Sequence, residues 1–184
     1  SSRYRFRGNM SYQSSTNKLE SIIDIGDIRT TFNKIVKFFD PNKSKNKKTK
    51  VLDCSNFYIW NEEDIGLFDI TKSNNLSGSV VNNKYDLIIF EPPCNKSLAV
   101  ISIEYGKVFY DVLKNNGVII VKTKDFKDGN KLKGSFDIRI SLETCGLHLE
   151  NQIIYKNKRQ DNYKDNKEVE IDIIHSYFMI FKKN

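Results

Sequence analysis

Histidine, cysteine and proline are scarce in this 184-residue chain, and each scarcity closes off a class of chemistry. Two histidines, His148 and His175, and three widely spaced cysteines, Cys54, Cys94 and Cys145, form no zinc-ligand pattern, so no metal site is expected. An odd number of cysteines without close spacing also predicts no disulfide framework and a reducing, intracellular setting, nuclear or cytoplasmic. No apolar run approaches about 18 residues and no leader-peptide pattern opens the chain, so no membrane partner is expected. The opening Ser1-Ser2 fits a natural chain that begins further upstream.

Charge is plentiful but unevenly placed. Residues 1–50 carry 12 Lys/Arg against 4 Asp/Glu, a balance of +8, whereas residues 51–184 carry 18 against 19, a balance of −1. The excess therefore belongs to the amino-terminal region. Arg3, Arg5 and Arg7 alternate with Tyr4 and Phe6 in a basic arm over residues 1–15, a pattern suited to phosphates and unstacked bases. Lys43 to Lys50 forms a second basic stretch. Residues 16–184 read as one domain that opens with a helical segment over 16–40. There Ile22, Ile25, Ile28, Phe32, Ile35, Val36 and Phe39 recur at helical spacing before Pro41.

Two of the three prolines fall together, directly after the most apolar stretch. Tyr85-Asp86-Leu87-Ile88-Ile89-Phe90 reads as a central strand covered on both faces. Glu91-Pro92-Pro93-Cys94 must end it, because proline has no amide hydrogen for a sheet ladder. A carboxylate and rigid carbonyls then stand at the carboxyl end of a central strand, where open α/β sheets take ligands.

The stretch Glu91-Pro92-Pro93-Cys94 resembles the Asp/Asn-Pro-Pro-aromatic motif of S-adenosylmethionine (SAM)-dependent methyltransferases that modify exocyclic amino groups of adenine or cytosine. Other segments follow that family's order. Lys50 to Cys54 resembles its first strand and Gly66 to Ile70 its second, ending in Asp69. Val112 to Asp125 resembles the segment that leads into and forms the fifth strand, with Gly117 as the helix stop. Ser135 to Cys145 reads as a helix stopped by Gly146, Leu147 to Tyr155 as a sixth strand, and His175 to Lys183 as the closing one.

The resemblance implies a Rossmann-like class I methyltransferase fold, an α/β architecture with a mostly parallel seven-stranded sheet and an antiparallel last strand. It implies that Glu91 and the Pro92 carbonyl receive the target amino group, with Pro93 and Cys94 completing the motif. Asp53, Cys54, Ser55 and Asp69 would hold SAM, the cofactor of an active member. Lys122, Lys124 and Asp125, after the fifth strand, fall on the same sheet edge, where they suit nucleic acid or a partner.

Two departures fall on the two halves of that site. No glycine occurs between Asp53 and Gly66, where the family has a glycine turn, and Phe57, Tyr58 and Ile59 are bulky where backbone must approach a cofactor. Cys94 replaces the aromatic whose stacking contributes about 1–3 kcal/mol per base. A Glu-Pro-Pro variant also marks the non-catalytic partner of heterodimeric mRNA adenosine methyltransferases. The expectation is a degenerate subunit without a working cofactor site. It would bind DNA or RNA and support a catalytic methyltransferase partner; the alternative is an active N6-adenine or N4-cytosine methyltransferase. Whether the bulky loop fills the space between Asp53, Asp69 and Glu91 separates the two.

Overall fold

A computed structural model describes residues 18–23, 26–93, 95–156 and 173–183. Arg3, Arg5, Arg7, Cys94 and most of the polar loop before the last strand lie outside the described residues.

Alternation along the central strands sets up two cores. In β4 (Tyr85–Phe90), Leu87 and Ile89 face one side of the sheet, and Ile88 and Phe90 the other. All six residues of β4 are buried, as a strand covered by helices on both faces requires. It lies between β2 (Thr49–Cys54) and β5 (Leu113–Thr123), parallel to both. Beyond β2 comes β3 (Phe68–Lys72), also parallel, which forms one edge. On the other side of β5 lies β9 (His175–Lys183), antiparallel to it, followed by β8 (Leu147–Lys156) and the two-residue β1 (Ile22–Ile23). The order is β1-β8-β9-β5-β4-β2-β3, and β9 alone runs against the other six. The architecture is mixed α/β, with a seven-stranded, mostly parallel sheet.

One face is covered by α1 (Ile28–Phe38), which buries Phe32, Ile35 and Val36 completely. Phe32 meets Phe178 of β9 edge-on at 5.0 Å. The opposite face carries α2 (Leu98–Ile101) and α3 (Lys107–Val112), joined through a π-helical turn at Ser102–Gly106, together with α4 (Ser135–Thr144). A two-stranded hairpin, β6 (Phe126–Asp128) with β7 (Lys131–Lys133), stands between β5 and α4.

Three sequence expectations need correction. The helical segment over 16–40 is split, because Ile22 and Ile23 are a strand beside β8 rather than part of a helix. The helix starts only where Asp27 caps it, accepting from the Thr30 amide at 3.1 Å. The second strand begins near Asp69 rather than ending there: Asp69 is the second of five residues, and Lys72 closes the strand. Gly117 is not the helix stop either. α3 ends at Val112, and the left-handed residue is Asn116, at φ 64°. Gly117 is required for a different reason: a Cβ there would lie 2.6 Å from the Leu113 side chain and 2.7 Å from the Lys114 carbonyl. Gly146, at φ 97°, does sit between α4 and β8 as expected.

Candidate functional site

Parallel strands β2, β3, β4 and β5 all end on one edge of the sheet, which brings Asp53, Lys72, Glu91 and Lys122 to that edge. The chain leaving β2 fills this edge. Asp53 is 0% exposed, and its carboxylate accepts from the Ser55 amide at 2.9 Å and the Ser55 hydroxyl at 2.5 Å. Its second oxygen accepts from the Trp60 indole N–H at 2.8 Å. Lys72, from the end of β3, places its ammonium 3.5 Å from Asp53. The same ammonium donates to the Ser55 carbonyl at 2.8 Å and the Phe57 carbonyl at 3.3 Å. A buried carboxylate stays ionised only when partners replace water. Here all of them come from this loop and the neighbouring strand.

Bulky residues in the loop are what hold it there. Ile59 and Trp60 are buried among the α1-side core, Phe57 packs on Phe32 with ring centres 5.9 Å apart, and Tyr58 remains exposed. Asn33 of α1 donates to the Ile59 carbonyl at 2.9 Å and to the Asp64 carboxylate at 2.8 Å. Asp64, wholly buried, also accepts from the Asn61 amide at 2.7 Å and pairs with Lys37 at 2.7 Å. Burial pushes its carboxyl upward, but these donors outweigh burial and hold it below its ordinary value of 3.8. The segment between β2 and β3 is therefore pinned by hydrophobic and polar anchors to the helix beneath it.

Glu91 is engaged in the same way. Its carboxylate accepts from the Asn56 amide at 2.9 Å and lies 3.7 Å from the Lys122 ammonium. Its own amide donates to the Cys54 carbonyl at 3.4 Å. Pro92 and Pro93 continue the edge, half-buried.

The remaining expected residues fall in different places. Cys54 turns into the core on the α2–α4 side, where burial, followed by the charge of Asp53, pushes its thiol up to about 12. Only its backbone belongs to the carboxyl edge. Asp69 stands three residues before Lys72, about 10 Å down the strand, exposed and away from the carboxyl edge. The structure thus joins Asp53 with Ser55 and Glu91 with Lys122, and leaves Asp69 apart. Lys124 is exposed just past β5. Asp125 accepts from the Ser135 amide and hydroxyl, both at 2.8 Å, so it fixes the start of α4.

Lys72, Trp60 and Asn56 are members of this site that the sequence reading did not assign. Two signals were present. A buried indole requires an acceptor, and Asp53 is a nearby carboxylate. Lys72 lies an odd number of residues from Asp69, and so on the opposite face of the strand.

The residues present are a poor match for SAM. An acid at the end of β2 accepts ribose hydroxyls through free acceptor sites, and three of the roughly four on Asp53 already receive Ser55 and Trp60. At the end of β3 the side chain is a cation, Lys72, which cannot accept from a hydroxyl. Among the described residues no cluster of His, Cys, Asp or Glu is suited to a metal ion, and no helix is long and apolar enough to cross a membrane.

No protein-family model matches the sequence, and no curated protein sequence matches it. Some solved structures are similar at low identity. A TehB-like SAM-dependent methyltransferase from Corynebacterium glutamicum is 13% identical over 79% of this chain and 86% of its own, with a TM-score of 0.44. TTHA0409 of Thermus thermophilus, an inferred DNA modification methylase in complex with SAM, is 14% identical over 57% of this chain, with a TM-score of 0.43. A SAM complex of M1.HpyAVI is 17% identical over 55%, with a TM-score of 0.37. The match covers 49% of TTHA0409 and 46% of M1.HpyAVI, so the chain spans about half the length of each. At such identities and scores these likenesses lend no weight to an activity or a ligand.

Proposed function

We propose that this chain is a methyltransferase-fold subunit without turnover of its own, which binds nucleic acid and supports a catalytic DNA or RNA amino-methyltransferase. The observation that carries the reading is the closed network around Asp53. Asp53, the acid that the resemblance assigns to the cofactor, is wholly buried and bonded to Ser55, Trp60 and Lys72. Turning the Asp53 carboxylate toward a cofactor ribose would give up the Trp60 bond, a cost of about 1–3 kcal/mol for the group left unpaired. Glu91, the acid of the Glu-Pro-Pro motif, is likewise occupied by Asn56 and Lys122. Asp53 is turned inward and Glu91 is half-buried beside Asn56 and Lys122, so the fold is kept while its ligand positions serve stability.

Calorimetric titration of the folded chain with SAM, and in parallel with S-adenosylhomocysteine, tests the reading. No saturable heat is the expected result. Micromolar binding of either compound would overturn it and restore the alternative, an active N6-adenine or N4-cytosine methyltransferase.

A further inference from the structure

Beyond β5 the chain makes an excursion with a clamped base. Asp125 at the start of the excursion accepts from Ser135 at its end. Gly134 adopts φ 137°, and a Cβ there would come within 2.6 Å of the Asp125 carboxylate and 2.8 Å of the Lys124 carbonyl. The neck of the loop is thus too narrow for any side chain at 134. Between the two anchors, β6 and β7 pair in antiparallel register, Phe126 opposite Lys133, Lys127 opposite Leu132 and Asp128 opposite Lys131.

Its charge is exceptional for this part of the molecule. Residues 122–133 contain five lysines and two aspartates, a balance of +3, although residues 51–184 together balance at −1. The two aspartates do not balance the five lysines, although Asp128 stands opposite Lys131 and offsets part of its charge. Asp125 is spent on Ser135, and Asp128 pairs with Lys133 at 2.6 Å. Lys124, Lys127 and Lys131 are all exposed, beside the exposed apolar side chains of Phe126 and Leu132. A small hairpin of this kind is weakly stable in isolation, and nothing in its composition serves a core. Cations interleaved with an exposed aromatic suit a single strand, whose phosphates and unstacked bases are both available.

Position separates this feature from the other basic stretch. Residues 43–48 lead into the first residue of β2 and so lie at the amino edge of the parallel strands. The hairpin follows the last residue of β5, at the carboxyl edge, where Lys122 pairs with Glu91.

We infer that the β6–β7 hairpin is a nucleic-acid-binding arm, in which Lys124, Lys127 and Lys131 contact successive phosphates of a single strand at the carboxyl edge of the sheet. The inference rests on the nucleic-acid reading above and names the surface that performs it.

Fluorescence anisotropy of labelled single strands of roughly 20 nucleotides, longer than the site of one small binding fold, tests it with the full chain across a salt series. One strand is RNA and one DNA, both of mixed sequence. Each phosphate contact on a single strand contributes about 0.7 to the slope of log K against log salt. The variant K124A/K127A/K131A is expected to lose about 2 from that slope and about tenfold or more in affinity at low salt. K124R/K127R/K131R is expected to retain both, which separates lost charge from lost folding. A variant K43A/K45A/K47A is expected to lose less of the slope than the hairpin variant. Wild-type slope in the hairpin variant overturns the arm while leaving nucleic-acid binding in place. Absence of binding by the wild-type chain to either strand overturns the arm and the broader reading together.

Discussion

At residue scale, the Trp60 indole N–H is the least replaceable donor to Asp53. Ser55 reaches that carboxylate from the adjacent backbone, and Lys72 stretches to it from an exposed strand end. Trp60, itself 5% exposed, donates from the core, where no water can substitute once it is removed. Trp60→Phe retains most of the ring volume and deletes the N–H. The expected effect is a loss of about 1–3 kcal/mol in urea unfolding, the cost of a buried acceptor left unpaired. Combining it with Asp53→Asn should recover part of that loss, because the uncompensated charge disappears with its donor. A fully additive double variant would mean that the two groups do not depend on each other, and the closed site would lose its main support. Cys54 illustrates the opposite case at the same edge: its thiol, buried and next to Asp53, stays protonated and belongs to the core.

At the scale of elements, α1 and the loop between β2 and β3 form one unit joined by Asp64, Asn33 and Lys37. Asp64 has a carboxyl held below its ordinary 3.8, so its contribution follows the rule for a depressed acid. The stability it confers is fully present above the unfolded value. It is lost as pH falls below that value and through the lower, folded one. Asp64→Asn is therefore expected to cost roughly 1–3 kcal/mol at neutral pH, from weakened charge-assisted bonds. The gap between wild type and variant should begin to narrow below about pH 4, where the unfolded carboxyl takes up its proton, and close only below the lower, folded value. Thermal melts of the two proteins from about pH 7 to about pH 3 measure this, and a gap that stays constant across the range would show that Asp64 is not the titrating anchor.

Elements also show what was legible in the sequence and what was not. The central strands were plain because burial on both faces gives an unbroken apolar run, and Pro92 and Pro93 mark where β4 must stop. β1 was hidden because Ile22 also falls into a helical stripe with Ile25, Ile28 and Phe32, and only the neighbouring β8 decides between the two periods. The hairpin was missed because a strand exposed on both faces has no alternation to read. At the site, Glu91 and Asp53 could be placed from strand ends. Their occupation by Asn56, Trp60 and Lys72 could not, since it depends on where the stretch from Cys54 to Ile65, which holds no glycine, folds back.

For the whole molecule, the sheet order makes the two ends of the described chain mutually dependent. β9 is the last described element in sequence, yet it lies between β5 and β8, and β1, the first, pairs with β8. Without β9 the sheet has no ladder connecting β8 and β1 to the remaining strands. The α1-side core would lose Phe178 and Ile180, and the opposite core Met179 and Phe181, all at most 1% exposed. Truncating a single buried phenylalanine costs about 3–5 kcal/mol, while a domain's whole stability is about 5–15 kcal/mol. Deleting two phenylalanines together with an isoleucine and a methionine therefore exceeds what the fold can lose. A chain ending at Lys156 is expected to show no cooperative urea transition, whereas the full chain unfolds in one step with coincident near- and far-ultraviolet circular dichroism. Cooperative unfolding of the truncated chain would mean that β2 to β5 with their helices stand alone, and that β8, β9 and β1 form a separable second unit.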